Sequence, residues 1–249
     1  MPGYDTNVGA KRAREARARL GLDDASPVRC VVTLVEERAG VPIVVAGLPD
    51  EVAGALWREG ESALIWVNGG QAVERQRFTV AHELGHVCCR HDDTTVDTAA
   101  TISAAARDPR EVQANAFAAE LLAPRAGVSA MLTGQPRLDD LVRLAAHFGI
   151  STLAALNRCR TLGLVERRRA ERLQEEIEEG LHREVWDYVR PARMEDVLAG
   201  IEEYPRLPRS LAGSALAALL RGETTAAAAA LAAGCRVDRL DAAATALVR

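Results

Sequence analysis

Between Arg77 and His91 the chain places two histidines four residues apart, with a glutamate directly after the first: His82-Glu83-Leu84-Gly85-His86. This spacing restricts the local fold more than any other feature of the sequence. On a helix, positions i and i+4 lie one turn apart on the same face, so both imidazoles reach one ion. Zinc suits such a pair because it accepts borderline nitrogen ligands and imposes no geometry of its own. Glu83 stands about 100° round the helix, beside the pair, where it can take a proton from a water that zinc has acidified. Phe78, Val80, Ala81, Leu84 and Val87 make the rest of the segment apolar, which predicts a core helix from about Gln71 to Arg90.

A catalytic zinc takes three protein ligands and leaves a position open to water, so a third ligand must come from elsewhere. A histidine completing the longer H-E-x-x-H-x-x-G-x-x-H pattern would fall on residue 92, which is Asp92, and the glycine of that pattern is Cys89. His91 instead reads as closing the helix C-terminus, where a cation is favoured. Cys88 and Cys89 read as core or helix-flank thiols. Glu111 and Asn115 are again i and i+4, so one could bind metal while the other orients a ligand. Asp108-Pro109-Arg110-Glu111 also fits a capping box with Asp108 as N-cap, and spacing alone leaves both readings of Glu111 open.

The surrounding chain divides by texture into residues 1–124, 125–165 and 166–249. The first region mixes helices and strands, an α+β pattern. The basic residues Lys11, Arg12, Arg14, Arg17 and Arg19 read as the wet face of a helix running to Leu20. Ser26-Pro27 predicts a helix start and Gly40 its stop. Strands are expected over Pro42 to Ala46, Glu51 to Trp57 and Ala63 to Asn68. After the histidine helix comes a polar loop, then a helix from Pro109 to Leu122 that Pro124 ends. Residues 125–165 read as short helices. From Glu166 onward every element reads as helical, beginning with a seam of Leu173, Ile177, Leu181, Val185 and Tyr188 or Val189.

Two motifs together carry a resemblance. Arg77-Phe-Thr-Val-Ala-His-Glu-Leu-Gly-His86, then Glu111-x-x-Ala-Asn-x-Phe-Ala-Ala-Glu-Leu-Leu-Ala-Pro124, resemble the ImmA/IrrE family of metallopeptidases over roughly residues 8 to 165. The resemblance implies a zincin-like domain with a small sheet, followed here by an all-helical region. It implies His82, His86 and Glu111 as ligands of Zn2+, Glu83 as general base and Asn115 as the partner orienting a ligand. It further implies an endopeptidase that cuts a regulatory protein, a helix-turn-helix repressor or an antitoxin, to switch gene expression. The stress-response members of that family carry a sensor domain of mixed strands after the peptidase, whereas this chain continues in helices.

Residues 137 to 164 have the rhythm of a helix-turn-helix, with Gly149-Ile150-Ser151 as the turn and Ser151 capping the second helix. Arg158 and Arg160 on that helix are candidate phosphate contacts, against a bland alternative of a helical hairpin packed on the peptidase. A non-hydrolytic DNA-binding or partner-binding regulator that keeps the zincin fold is therefore the alternative function. The chain's bulk properties bear on this choice. Its 249 residues are 48% hydrophobic and 27% charged, with a net charge of -4, which argues against coating nucleic acid by charge alone. No run approaches the roughly 18 to 20 apolar residues of a membrane span. The five cysteines are odd in number and follow no apolar leader, which predicts reduced thiols in the cytoplasm. A substrate segment is expected to lie along the edge of the sheet near Ala63 to Asn68.

Overall fold

The computed structural model describes residues 2–91, 95–98, 101–102, 106–189, 206, 208–233, 236–238 and 245. Four strands form one sheet: β1 (Ile43–Ala46), β2 (Val52–Glu59), β3 (Ser62–Asn68) and β4 (Thr95–Thr98). Their order is β1-β3-β2-β4, with β1 parallel to β3 and the other pairs antiparallel. The first three strands match the sequence expectation to within two residues. β4 falls where the sequence predicts a polar loop. β3 is paired on both sides, so it offers no edge to a substrate; among the described strands the edges belong to β4 and to β1, which Arg206 bridges at Val45. That corrects the expected docking position near Ala63 to Asn68.

The sheet is amphipathic with the period of two that a strand imposes. Ile43, Val45, Leu56, Ile65 and Val67 are buried on its inner face, while Trp57, Trp66 and Val96 are exposed on the other. Against the inner face lies α3 (Val73–Cys89), whose residues from Gln76 to His86 are buried except Phe78. A helix buried all round must satisfy its polar side chains internally. Gln76 Nε2 donates to Gly69 O at 3.0 Å and Gln71 O at 2.7 Å. Arg77 donates to Val28 O, Arg29 O and Gly149 O at 2.6 to 2.9 Å. The helix ends where Arg90 enters the left-handed region at φ 59°, and His91 N then donates back to His86 O at 3.0 Å.

Across α3 lies α4 (Pro109–Leu122), and α1 (Pro2–Arg19) packs along α4. Both crossings are made close by glycine. A methyl at Gly85 would lie 3.1 Å from Ala114 Cα, and one at Gly9 would collide with Gln113 O. On α1 the residues Lys11, Arg12, Arg14 and Arg19 are exposed as expected. Arg17 is not. It is 1% exposed, and its guanidinium donates to Asp23 O, Ser26 O and Leu121 O. The expected helix start at Ser26-Pro27 also shifts: α2 (Val31–Leu34) begins after Cys30 and runs on as a π-helical stretch, Val35–Ala39. Asp23 Oδ1 accepts from Ala25 N and Ser26 N, which holds the preceding residues in a turn.

Three short helices follow: α5 (Arg125–Met131), α6 (Leu138–Phe148) and α7 (Thr152–Leu162). Ser151 caps α7, with its Oγ accepting from Ala154 N at 3.1 Å. Next come α8 (Arg167–Glu178) and α9 (Leu181–Val189), separated at Gly180 with φ 87°. Of the expected seam, Leu173 and Ile177 are buried, Leu181 is exposed, and the side chains of Tyr188 and Val189 lie outside the described residues. Ala170, Leu173 and Ile177 share one hydrophobic core with α1, α3, α4, α6, α7 and the sheet. A smaller alanine cluster joins α10 (Arg209–Leu220) to α11 (Ala226–Ala232). Among the described residues no helix is long and apolar enough to cross a membrane.

Candidate metal centre

Where α3 faces α4 and β4, four possible ligand atoms gather. Those of His82, His86, Asp97 and Glu111 all lie within 4.8 Å of one another. The two histidines point their Nε2 atoms at each other, 3.0 Å apart. Two nitrogens bound tetrahedrally to one zinc at about 2.0–2.1 Å would stand roughly 3.3 Å apart. The carboxylate of Glu111 approaches from α4, 3.3 Å from His82 Nε2 and 3.6 Å from His86 Nε2. Asp97 Oδ2 is 3.8 Å from His82 Nε2. Asp108 caps α4 by accepting from Arg110 N at 2.8 Å, while the Glu111 carboxylate faces the imidazoles.

Asn115 stands one turn beyond Glu111, and its Oδ1 lies 3.0 Å from His82 Nδ1. Its Nδ2 donates to Thr101 O at 3.0 Å, which leaves Oδ1 as the acceptor toward the ring. His82 Nδ1 must then carry the proton, and its Nε2 lone pair faces His86. The expected residues His82, Glu83, His86, Glu111 and Asn115 thus converge on one spot from two helices.

Glu83 is fully buried beside this group. Its Oε1 lies over Gly54 of β2, where a methyl would stand 3.2 Å away, and Thr95 Oγ1 of β4 donates to its Oε2 at 3.4 Å. Burial holds the Glu83 carboxyl well above the usual carboxylate range, and the neighbouring carboxyls of Asp97 and Glu111 push it further. Burial, with His82 and His91 alongside, pushes the His86 imidazole down to about 2. Glu83 Oε1, Asp97 Oδ2 and Glu111 Oε2 are buried without a hydrogen-bond partner among the described residues. Three orphaned carboxyl oxygens around two facing imidazole lone pairs are the donor set of a cation site, so these residues fit a bound zinc.

Two members of this arrangement escaped the sequence. Asp97 was lost with β4, although Thr95-Val-Asp-Thr98 alternates as an edge strand does; Thr95 and Asp97 turn inward while Val96 is 64% exposed. His91 does not serve as an exposed helix-terminal cation. It is 8% exposed, its Nδ1 lies 2.9 Å from His86 Nδ1, and burial lowers its pKa. Cys88 and Cys89 are half-buried free thiols on the helix flank, as expected. Arg158 and Arg160, the candidate phosphate contacts, both engage partners within the fold. Arg158 is buried, paired with Glu120 and bonded to Ala123 O. Arg160 is held by Asn157, Ala170 O and Gln174.

Comparison with known proteins places this chain in a family. Residues 36–160, half of the chain, match the IrrE N-terminal-like domain, a peptidase family. The radiation response metalloprotease IrrE of Deinococcus radiodurans is 34% identical over 159 residues, covering 60% of this chain and 45% of that protein. The chain therefore aligns with somewhat less than half the length of this curated relative.

Proposed function

The chain belongs to the peptidase family of the IrrE N-terminal-like domain, and from that premise we propose that it is a zinc-dependent endopeptidase acting on a regulatory protein. His82, His86 and Glu111 hold the metal, Asn115 orients His82, and Glu83 is the general base. The observation that supports this most is the meeting of two Nε2 atoms 3.0 Å apart with the Glu111 carboxylate at 3.3 and 3.6 Å, all beside a buried glutamate. When bound, zinc supplies Lewis acidity, acidifying a water and polarising the scissile carbonyl. Glu83 accepts the proton of the attacking water and passes it to the nitrogen of the leaving peptide. Thr95 steadies one of its carboxylate oxygens, Oε2. Asp97, 3.8 Å from His82 Nε2, acts chiefly on Glu83 rather than as a ligand.

The substrate is a helix-turn-helix repressor or an antitoxin, cleaved in the cytoplasm to switch gene expression. An extended substrate segment lies along β4, the sheet edge that carries Thr95 and Asp97 to the site. The test is cleavage of a purified repressor encoded beside this gene, by wild-type protein and by Glu83→Gln. The wild type is expected to cut, to stop on chelation and to recover with zinc. Glu83→Gln is expected to keep its zinc and to lose cleavage by about 10²- to 10⁴-fold. Cleavage at the wild-type rate by Glu83→Gln would remove Glu83 from the mechanism.

A further inference from the structure

Behind His86 a chain of contacts runs away from the metal centre to the first helix. His86 Nδ1 lies 2.9 Å from His91 Nδ1, and the two rings meet edge to face with centroids 4.9 Å apart. His91 Nε2 lies 3.3 Å from Gln113 Oε1. Gln113 Nε2 donates to Asp5 Oδ1 at 2.9 Å, joining α4 to the first turn of α1. We propose that Asp5, Gln113 and His91 form a polarised hydrogen-bond relay that fixes the tautomer of His86 and presents its Nε2 lone pair to the metal.

The direction of the relay follows from what each group can do. An ionised carboxylate only accepts, so Asp5 turns the amide nitrogen of Gln113 toward itself. The Gln113 oxygen must then face His91 and accept, which places the His91 proton on Nε2. A neutral imidazole carries one N–H, so His91 Nδ1 is an acceptor. Only His86 can supply the proton at the Nδ1–Nδ1 contact, and its own Nε2 is left as a lone pair. His82 reaches the same state independently, through Asn115 and Thr101 O. Two separately wired imidazoles thus aim lone pairs at each other across 3.0 Å, an arrangement that a cation between them stabilises.

Fixing the tautomer and ring orientation of a metal-binding histidine is what partners behind the ligand do, at a typical 10- to 100-fold in metal affinity. His91, Gln113 and Asp5 are positioning residues under this assignment. The glycine at residue 9 belongs to the same device, since a methyl there would collide with Gln113 O and push α1 from α4.

The relay rests on the proposed zinc site for its purpose, but its polarity is measurable without metal. The experiment uses the full chain as wild type, His91→Leu, His91→Gln and Asp5→Asn. Zinc affinity is measured by competition with a chromophoric chelator, and histidine tautomers are read in zinc-free protein from long-range proton–nitrogen NMR correlations. Glutamine at 91 can accept from His86 and donate to Gln113, preserving the direction; leucine can do neither. The expected result is a protonated Nδ1 on His86 in wild type and His91→Gln, and a mixture of tautomers in His91→Leu. Zinc binding is expected to weaken by roughly 10- to 100-fold in His91→Leu and to recover to within a few-fold in His91→Gln. Asp5→Asn, on a half-buried residue, is expected to weaken zinc several-fold and to mix the tautomers, because an amide no longer forces Gln113 to one orientation.

His91→Leu binding zinc as tightly as wild type overturns the relay, as does equal weakening by leucine and glutamine. So does a zinc-free wild type whose His86 carries its proton on Nε2 alone. Wild-type protein that takes up no zinc overturns the proposed metal site instead, and the tautomers of the zinc-free chain still decide the relay.

Discussion

At the scale of single residues, the site is a problem of placing charge without water. Glu83, Asp97 and Glu111 bring three carboxyls together between α3, α4 and the sheet, with Glu83 and Asp97 buried, and each leaves an oxygen unpaired. Such oxygens cost on the order of 1–3 kcal/mol each unless a proton or a cation meets them. Asp97 and Glu111 both raise Glu83, after burial itself. Replacing Asp97 with asparagine removes one of these charges and offers an amide donor in its place, so the base ionises at lower pH. Asp97→Asn is therefore expected to keep zinc and to shift the acid limb of the kcat profile toward lower pH. A shift to higher pH, measured on a fluorogenic or repressor substrate, would contradict that reading.

At the scale of elements, the centre exists because two helices approach closely enough for side chains on both to meet. Gly85, inside the histidine motif, permits this. A methyl there would lie 3.1 Å from both Ala114 Cα and Phe117 Cβ and 3.2 Å from Ala114 O, and backbone cannot yield as a side chain does. Gly85→Ala gains about 1 kcal/mol of helix propensity and incurs overpacking of about 1–3 kcal/mol. The expected net is a loss of up to about 2 kcal/mol in denaturant unfolding, with weaker zinc binding as Glu111 and Asn115 retreat with α4; an unchanged zinc affinity would contradict it. The sequence made α3, α4 and three strands legible because their apolar periods are strong and local. It hid β4, whose four residues are mostly polar and are ordered by pairing with β2 some forty residues earlier in the chain. It also hid the fold-back of His91, which depends on Arg90 entering the left-handed region. Arg17, Arg77 and Arg158 look like surface residues in sequence, yet all three are buried. Their partners are carbonyls and a carboxylate distant along the chain, which no periodicity reveals.

At the scale of the whole molecule, the peptidase region and the first helices beyond residue 165 share one core. Leu173 and Ile177 of α8 are 0% and 8% exposed, and Trp186 of α9 packs on the same core and donates from Nε1 to Thr152 Oγ1 at 3.2 Å. Burying this leucine and isoleucine contributes about 1.5–3 kcal/mol each, a large share of a domain's usual 5–15 kcal/mol. A chain ended at residue 165 is therefore expected to unfold at a markedly lower temperature than the full chain; coincident thermal transitions would contradict this shared core. The proposed mechanism depends most on one metal held by one chain through two helices. Its most direct test is native mass spectrometry of wild type, Glu111→Gln and Asp97→Asn, all purified without chelators and resupplied with zinc. One zinc per chain in wild type and Asp97→Asn, with loss in Glu111→Gln, is the expected result. A wild-type chain that stays metal-free, or a Glu111→Gln chain that holds zinc as firmly as wild type, would contradict it.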